Sequence, residues 1–141
     1  MNCSVARTLD VVGEWWTLLI VRNIMLGQLR FEAIQGDLGI ARNILSDRLN
    51  TLVAAGVVKR VKYQDHPERF EYHLTDKGRD LFPVIAALMT WGDRWAAPEG
   101  PPLELRHTCE GRGHAQMVCS ECGEPMDIRH VQAKAGPGVR A

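Results

Sequence analysis

Residues 41 to 75 restrict the possible folds of this chain more than any other segment. An amphipathic stretch, ARNILSDRLNTLVAAG, is followed at once by two strand-like stretches, VVKRVKYQD and RFEYHLT, which HPE separates. Within the first stretch, apolar residues recur at helical spacing and share one face: Leu45, Leu49, Leu52 and Val53. β-Branched and aromatic residues mark the other two stretches, and Gly56 ends the helix. The segment therefore predicts a helix joined directly to a β-hairpin.

Further helices are predicted on both sides of this segment. Helical spacing indicates a short helix from Ser4, its cap, to Gly13, and a more apolar helix that Gly27 ends. The stretch QLRFEAIQGDLGI then predicts a brief extended step and a third short helix. After the hairpin, Thr75 can cap the helix TDKGRDLFPVIAALMTWGDRWA, which Pro83 should kink or divide. This order predicts an α+β, mainly helical fold. It is typical of a winged helix-turn-helix domain, which places a helix in a DNA groove and a hairpin, the wing, against the backbone.

The distribution of charge favours a nucleic-acid partner although the net charge is zero. The chain has 17 basic and 17 acidic residues. Between residues 40 and 62, however, Asp47 is the only acidic residue, and the basic residues are Arg42, Arg48, Lys59, Arg60 and Lys62. Such a local excess of positive charge can engage phosphates while acidic residues elsewhere cancel the total. An ordinary solvated surface is the alternative, which charge alone does not exclude.

Candidate DNA contacts follow from the polar side of the amphipathic helix. If its start enters the major groove, an arginine can bond guanine and an asparagine can bond adenine. The predicted contacts on this helix are Arg42, Asn43, Ser46, Asp47 and Asn50, with Arg48 nearer the flank and suited to phosphate. In the wing, Lys62, His66 and Arg69 are predicted to approach the backbone or the minor groove. A solvated polar residue is the alternative for each.

The last predicted helix carries more apolar surface than a small domain can cover. Its apolar stripe consists of Ile85, Leu88, Met89, Trp91 and Trp95. We expect this stripe to pack against a second copy of the chain, together with the first helix and its residues Val5 and Leu9. The alternative is that the stripe belongs to the intramolecular core.

The last third of the chain predicts a separate metal site. Residues 1–95 form the predicted DNA-binding and dimerisation domain, 96–102 a linker rich in proline, 103–131 a Cys/His-rich tail, and 132–141 a disordered end. The tail contains His107, Cys109, Cys119 and Cys122, and thiolate and imidazole ligands favour Zn²⁺. The fourth ligand is ambiguous because His114 and His130 are also available. A tail of reduced thiols without zinc is the alternative.

With these elements in place, the chain resembles the HxlR-type family of bacterial winged-helix transcription regulators. The matching segments are CSVARTLDVVGEWWTLLIVRNIMLG, RFEAI, LSDRLNTLVAAGVVKR and YHLTDKGRDLFPVIAALMTWGDRW, which together span residues 3–95. The resemblance implies a homodimer built on the first and last helices, with two recognition helices on a pseudo-palindromic operator, and repression as the usual outcome. Two positions depart from the family pattern: Trp15 stands where lysine or arginine is usual, and Ser4 stands where proline is usual.

Cys3 is a candidate sensor. It lies one residue before a predicted helix, where the positive end of the helix dipole favours the reactive thiolate. The resemblance adds that several relatives use a cysteine in this region to sense oxidants or electrophiles. An incidental cysteine is the alternative. A small-molecule pocket between the helices is a further possible input.

Several functional classes do not fit the sequence. It has no run of about 18 apolar residues and no secretory signal pattern, so we expect a cytoplasmic protein without a membrane partner. It contains no Ser/His/Asp grouping, phosphate loop or paired-carboxylate motif, so we do not expect an enzyme. The main alternative to a regulator is a zinc-ribbon interaction module whose helical domain only dimerises. A strong salt dependence of DNA binding would separate the two.

Overall fold

A computed structural model of the chain describes residues 3–111 and 113–139. Its elements, in chain order, are α1 (Ser4–Val12), α2 (Trp15–Met25), α3 (Phe31–Leu38), α4 (Arg42–Ala54), β1 (Val58–Asp65), β2 (Glu68–Leu74), α5 (Asp76–Arg79), α6 (Phe82–Trp95) and a short 3₁₀ helix (Ile128–His130). The α+β, mainly helical winged helix-turn-helix fold predicted from the sequence is confirmed. The chain divides into two compact units, residues 1–85 and 86–141.

The core of the first unit is formed by apolar residues of α2, α3, α4 and the start of β1. Leu45, Leu49 and Leu52 are all fully buried, so the apolar face predicted for α4 is the face that packs. The other fully or almost fully buried apolar residues include Ile20, Val21, Ile34, Val57 and Val58. Burial of this face orients α4, because the side chains of the opposite face must then point outward.

A buried amide joins α2 to α3. Asn23, which is almost fully buried, donates through Nδ2 to Gln28 Oε1 at 2.8 Å and to Asp37 Oδ2 at 2.7 Å. Its Oδ1 accepts from Arg22 Nη2 at 2.6 Å. A buried amide with all these partners is satisfied, and losing one partner would leave a polar atom without compensation. The network therefore holds α3 in place immediately before α4.

Strands β1 and β2 form an antiparallel hairpin, the wing. The register pairs Val58 with Leu74 and Asp65 with Glu68, with an irregularity between Lys62 and Gln64. The wing is tied to the helical part by a hydrogen bond from the Tyr72 amide to the Leu29 carbonyl at 2.7 Å. This bond lies just before α3, so it fixes the wing beside the helix-turn-helix.

The helix ends agree with the prediction only in part. Cys3, not Ser4, occupies the cap position of α1, and its side chain makes no capping hydrogen bond. The predicted end of α2 is confirmed, because the helix stops at Met25, Leu26 is its cap, and Gly27 follows with a φ of +90°. The last predicted helix is divided, one of the two outcomes predicted from Pro83, but the break lies before the proline, at residues 80–81. The cap predicted at Thr75 is confirmed, because its hydroxyl accepts from the Gly78 amide at 3.1 Å.

The second unit contains most of α6 and the cysteine-rich tail. One side of α6, with Ala86, Met89 and Thr90, lines a cavity with Leu103 and other tail residues. Further along the tail, Val118 and Pro125 form an isolated antiparallel bridge that closes a tight hairpin. Parts of the predicted segments 1–95, 103–131 and 132–141 lie outside the described residues, namely 1–2, 112 and 140–141.

No helix among the described residues is long and apolar enough to cross a membrane.

Candidate nucleic-acid interface

The outward face of α4 is the centre of the candidate interface. The helix begins at Arg42 and exposes the polar residues that the sequence predicts as base contacts: Arg42, Asn43, Ser46, Asp47 and Asn50. Because the leucines on the other side of α4 are buried in the core, these polar groups lie together on its solvent-exposed face. Donors and acceptors on an exposed helix face can read base edges in a major groove.

Arg42 is held only loosely at the start of α4. Its Nη1 lies 3.9 Å from Glu32 Oε1, and its guanidinium carbon lies 4.7 Å from the centre of the Phe31 ring. Both the Arg42 and the Glu32 side chains are exposed, so their ion pair contributes little to stability. The guanidinium can therefore leave these contacts for a base or a phosphate at small cost.

Arg48 is placed differently from the other predicted contacts of α4. Its side chain is only 30% exposed, and Nε lies 3.2 Å from Glu14 Oε2, at the start of α2. This buried nitrogen has no hydrogen-bond partner among the described residues, so the contact with Glu14 is an ion pair. A second carboxylate, that of Asp47, lies 3.8 Å from Nη2. The structure thus directs Arg48 toward the protein's own carboxylates.

The wing supplies a second basic surface. Lys62 Nζ lies 2.6 Å from Glu68 Oε1 and 3.8 Å from Asp65 Oδ1, so its charge is compensated within the hairpin. His66 is exposed in the turn. The exposed Arg69 side chain has no hydrogen-bond or ion-pair partner in the part of the chain that the structure describes. Arg69 is consequently the predicted wing contact whose cation is most available to an external phosphate.

Two residues that the sequence analysis does not select lie beside these contacts. Arg30, directly before α3, stacks on the Tyr63 ring of the wing at 4.2 Å, and its Nε lies 3.5 Å from Glu71 Oε2. Ile44 of α4 is partly exposed among the polar residues, where an apolar side chain can meet a thymine methyl. The sequence could have selected Arg30 as a DNA contact, because it is a basic residue directly before a predicted helix. Ile44 carries no such signal, because an isoleucine at this spacing also suits a core.

Exposed apolar surface occurs on α1 and α6. Trp91 and Trp95 are both 65% exposed, and Leu88 is more than half exposed. On α1, Val5 and Leu9 are also exposed. Met89 is half-buried and Ile85 is buried, so the apolar stripe predicted on α6 is divided between covered and uncovered residues. Large exposed aromatic residues in such numbers are typical of an interaction surface.

The thiols of the tail are only partly brought together. Cys119 and Cys122 lie in the tight hairpin, where the Cys119 carbonyl accepts from the Gly123 amide at 2.8 Å. The backbone amides of Cys122 and Glu121, with the Cys122 thiol, hydrogen-bond to Cys119 and lower the pKa of its thiol. This hairpin fits two thiolate ligands of a zinc site. Among residues 3–111 and 113–139, no three His, Cys, Asp or Glu side chains are grouped to hold a metal, so His107 and Cys109 do not complete the set.

Cys3, the predicted sensor, is exposed at the cap of α1 and forms no disulfide with another described residue. A thiol in this position is accessible to a reagent from solution. Position alone does not make it reactive.

A buried leucine face, an outward polar face on the same helix and an adjoining basic wing define the winged helix-turn-helix class of DNA-binding proteins. The chain belongs to the HxlR-like helix-turn-helix family, whose model matches residues 11–100. It is therefore a transcription regulator with a helix-turn-helix DNA-binding fold.

Relatives and solved structures agree with this assignment. The chain is 49% identical over 140 residues to the HTH-type transcriptional regulator Rv3095 of Mycobacterium tuberculosis, covering 98% of this chain and 89% of the relative. It is 37% identical over 93 residues to the HTH-type transcriptional regulator YvaP of Bacillus subtilis, covering 65% of this chain and 86% of the relative. Among solved structures, PA1607 superposes with a TM-score of 0.83 at 37% identity, covering 95% of both chains. The redox regulator HypR in its oxidised form superposes with a TM-score of 0.61 at 33% identity, covering 65% of this chain and 96% of HypR.

Proposed function

We propose that the protein is a homodimeric repressor that reads a pseudo-palindromic operator through α4. The observation that carries this proposal is the division of α4 into a fully buried leucine face and an exposed polar face. Such a helix is fixed by the core and has its hydrogen-bonding groups available to bases. Repression follows from occupancy, because a dimer bound over a promoter excludes other proteins from the same DNA.

The proposed contacts have different roles. Arg42, Asn43 and Ser46 lie in the first turns of α4 and would contact bases, while Arg69 of the wing would contact phosphate. Arg30 joins the phosphate contacts, because its cation is exposed and stacked on Tyr63 beside the wing. Asp47 would repel phosphate, so its role is discrimination between bases, for example by accepting from cytosine.

The homodimer is proposed from the uncovered apolar residues. Trp91 and Trp95 of α6, and Val5 and Leu9 of α1, expose surface that a second copy can bury. A two-fold dimer repeats the same surface on both subunits, and its two recognition helices then meet two half-sites of an inverted repeat.

A response to oxidants or electrophiles is proposed for Cys3. The support is its exposure at the cap of α1 and the similarity of the chain to the redox regulator HypR. Treatment with a quinone or a peroxide should lower operator affinity, and Cys3→Ser should remove the effect. Equal loss of affinity in the wild type and in Cys3→Ser would contradict a sensing role for Cys3.

The zinc site of the tail is likewise a proposal. The Cys119 and Cys122 hairpin and the lowered pKa of the Cys119 thiol support two ligands, since a metal binds the thiolate form. His107 and Cys109 would have to move toward the hairpin to complete the site. Metal analysis of freshly purified protein should find one zinc per chain, reduced in Cys122→Ser; absence of zinc, with folding unaffected by a chelator, would refute it.

Selection of bound sequences from a random DNA pool tests the proposed function as a whole. An inverted repeat is expected, because two copies of α4 would read two half-sites. Binding to the selected DNA should weaken steeply with salt, since phosphate contacts release counterions. Selection of no sequence, or binding that is insensitive to salt, would contradict the proposal.

A further inference from the structure

A small cavity lies within the first unit, between α1, the start of β1 and the α5 region. Its volume is about 240 Å³. The apolar side chains that line it are Val11, Val12, Val57 and Leu81, and the polar ones are Arg7, Thr8 and Lys77. Ligand pockets are commonly about 300–1,000 Å³, so this cavity suits a single ring or a short acyl chain rather than a nucleotide.

The charged residues that line this cavity are all cationic. Two cationic residues, Arg7 and Lys77, line it, and no lining residue is acidic. Lys77 Nζ donates to the Ala55 carbonyl at 2.7 Å, and no carboxylate in the described part of the chain pairs with this ammonium. A carboxylate at the rim would form charge-assisted hydrogen bonds, which are stronger than the bond that Lys77 makes to a neutral carbonyl.

The bond from Lys77 also reaches the end of the proposed recognition helix. Ala55 is the residue that caps the C-terminus of α4, and its carbonyl is one of those left without a partner inside the helix. Next to it, the Thr75 hydroxyl donates to the Gly56 carbonyl at 2.5 Å and lies 3.1 Å from the Val57 carbonyl. Lys77, which lines the cavity, and Thr75 beside it therefore hold the C-terminal end of α4.

The cavity uses a part of α1 that the proposed dimer does not need. Arg7, Thr8, Val11 and Val12 line the cavity. The exposed residues Val5 and Leu9 do not line it and remain available to a second copy. A ligand and a partner subunit can thus contact α1 at the same time.

We propose that this cavity is an effector site for a small organic anion, with an apolar body against Val11 and Leu81 and a carboxylate between Arg7 and Lys77. The bound carboxylate draws Lys77 from the Ala55 carbonyl and removes one cap of α4. Binding of the anion does not depend on the proposed function, whereas its effect on operator affinity rests on the proposed function of α4.

Calorimetric titration of the full chain with benzoate and hexanoate, against benzamide and hexanamide, tests the site without DNA. At least one carboxylate should bind about tenfold more tightly than its amide, the effect of one charge-assisted hydrogen bond. Lys77→Gln should abolish this preference, and Val11→Phe should abolish binding by filling the cavity. Lys59→Gln, which removes a lysine outside the cavity, should leave carboxylate binding and the preference over the amide unchanged. Circular dichroism checks that each variant folds. If Lys77→Gln does not fold, Val11→Phe alone tests whether the carboxylate binds in the cavity.

Equal affinity for acids and amides, or a preference that survives in Lys77→Gln or Val11→Phe, would overturn the site. With the selected operator, the binding carboxylate should lower DNA affinity in the wild type and not in Val11→Phe. Carboxylate binding without any effect on a functioning operator complex would overturn the coupling to α4 and leave the DNA-binding proposal intact. Absence of operator binding from the start would instead count against the proposed function, because the titrations do not depend on DNA.

Discussion

Arg48 of α4 and Glu14, the cap residue of α2, form an ion pair with 3.2 Å between Nε and Oε2. The same carboxylate oxygen accepts from the Trp16 amide at 3.0 Å and from the Thr17 hydroxyl at 3.3 Å. Glu14 therefore starts α2 and also anchors α4. The arginine that the sequence predicts as a phosphate contact is, in the free protein, a residue that holds the proposed recognition helix in position.

A double-mutant cycle measures this ion pair. Glu14→Gln and Arg48→Met should show a coupling free energy of about 0.5–1 kcal/mol in urea unfolding, because the pair is only partly screened by solvent. Arg48→Met should leave the salt dependence of DNA binding nearly unchanged. A fall of about one in the slope of log affinity against log salt would instead assign Arg48 to a phosphate.

Leu49 and Asn50 test the two faces of α4 with adjacent residues. Leu49 is fully buried, so Leu49→Ala should lower the free energy of unfolding by about 2–5 kcal/mol through lost burial and a cavity. Asn50 is exposed, so Asn50→Ala should change it by less than about 0.5 kcal/mol. Urea unfolding provides both values. Similar costs for the two substitutions would show that α4 does not have one buried face.

Arg42→Ala should weaken binding to the selected operator. The expected loss is about 1–3 kcal/mol if the guanidinium reads a base, and the variant should discriminate less at one position of each half-site. Fluorescence anisotropy at fixed salt measures the affinity. Arg106→Ala is the matched control, since Arg106 is also an exposed arginine beside a glutamate, at 2.7 Å from Glu104, and lies in the tail. Unchanged binding of Arg42→Ala would count against α4 as the recognition helix.

Arg30→Ala and Arg69→Ala should each act on the salt dependence of binding rather than on base preference. Each arginine is exposed beside or within the wing, and loss of one phosphate contact lowers the salt slope by about one. Affinity should fall on specific and random DNA alike. A change in base preference without a change in slope would mean that these residues do not contact phosphate.

Trp91→Glu should favour the monomer. The indole is largely exposed in the single chain, so the substitution removes little packing within the subunit, and it places a charge in the proposed interface. Sedimentation analysis should show a dimer for the wild type and a monomer for the variant at micromolar concentration. Glu99→Gln, a change at an exposed residue beyond α6, is the control. A monomeric wild type would remove the dimer from the proposed function.

Much of the fold follows from local patterns in the sequence. Helical spacing of Leu45, Leu49 and Leu52 predicts the buried face, and the strand-like stretches after Gly56 predict the wing. The prediction is least accurate at helix ends: the break that Pro83 predicts lies earlier, at residues 80–81, and Cys3 rather than Ser4 caps α1. Helix ends depend on caps and on contacts with other elements, which local spacing does not contain.

Spacing along the chain is enough to give α4 one apolar and one polar face, because helical geometry converts spacing into direction. Which polar residues remain available to DNA depends instead on how the elements pack. Arg48 meets Glu14 from another helix, and Arg30 meets Tyr63 from the wing. These partners are distant in the chain, and their meeting depends on how the helices and the wing pack. An ion pair between elements is therefore a property of the packing and not of either segment alone.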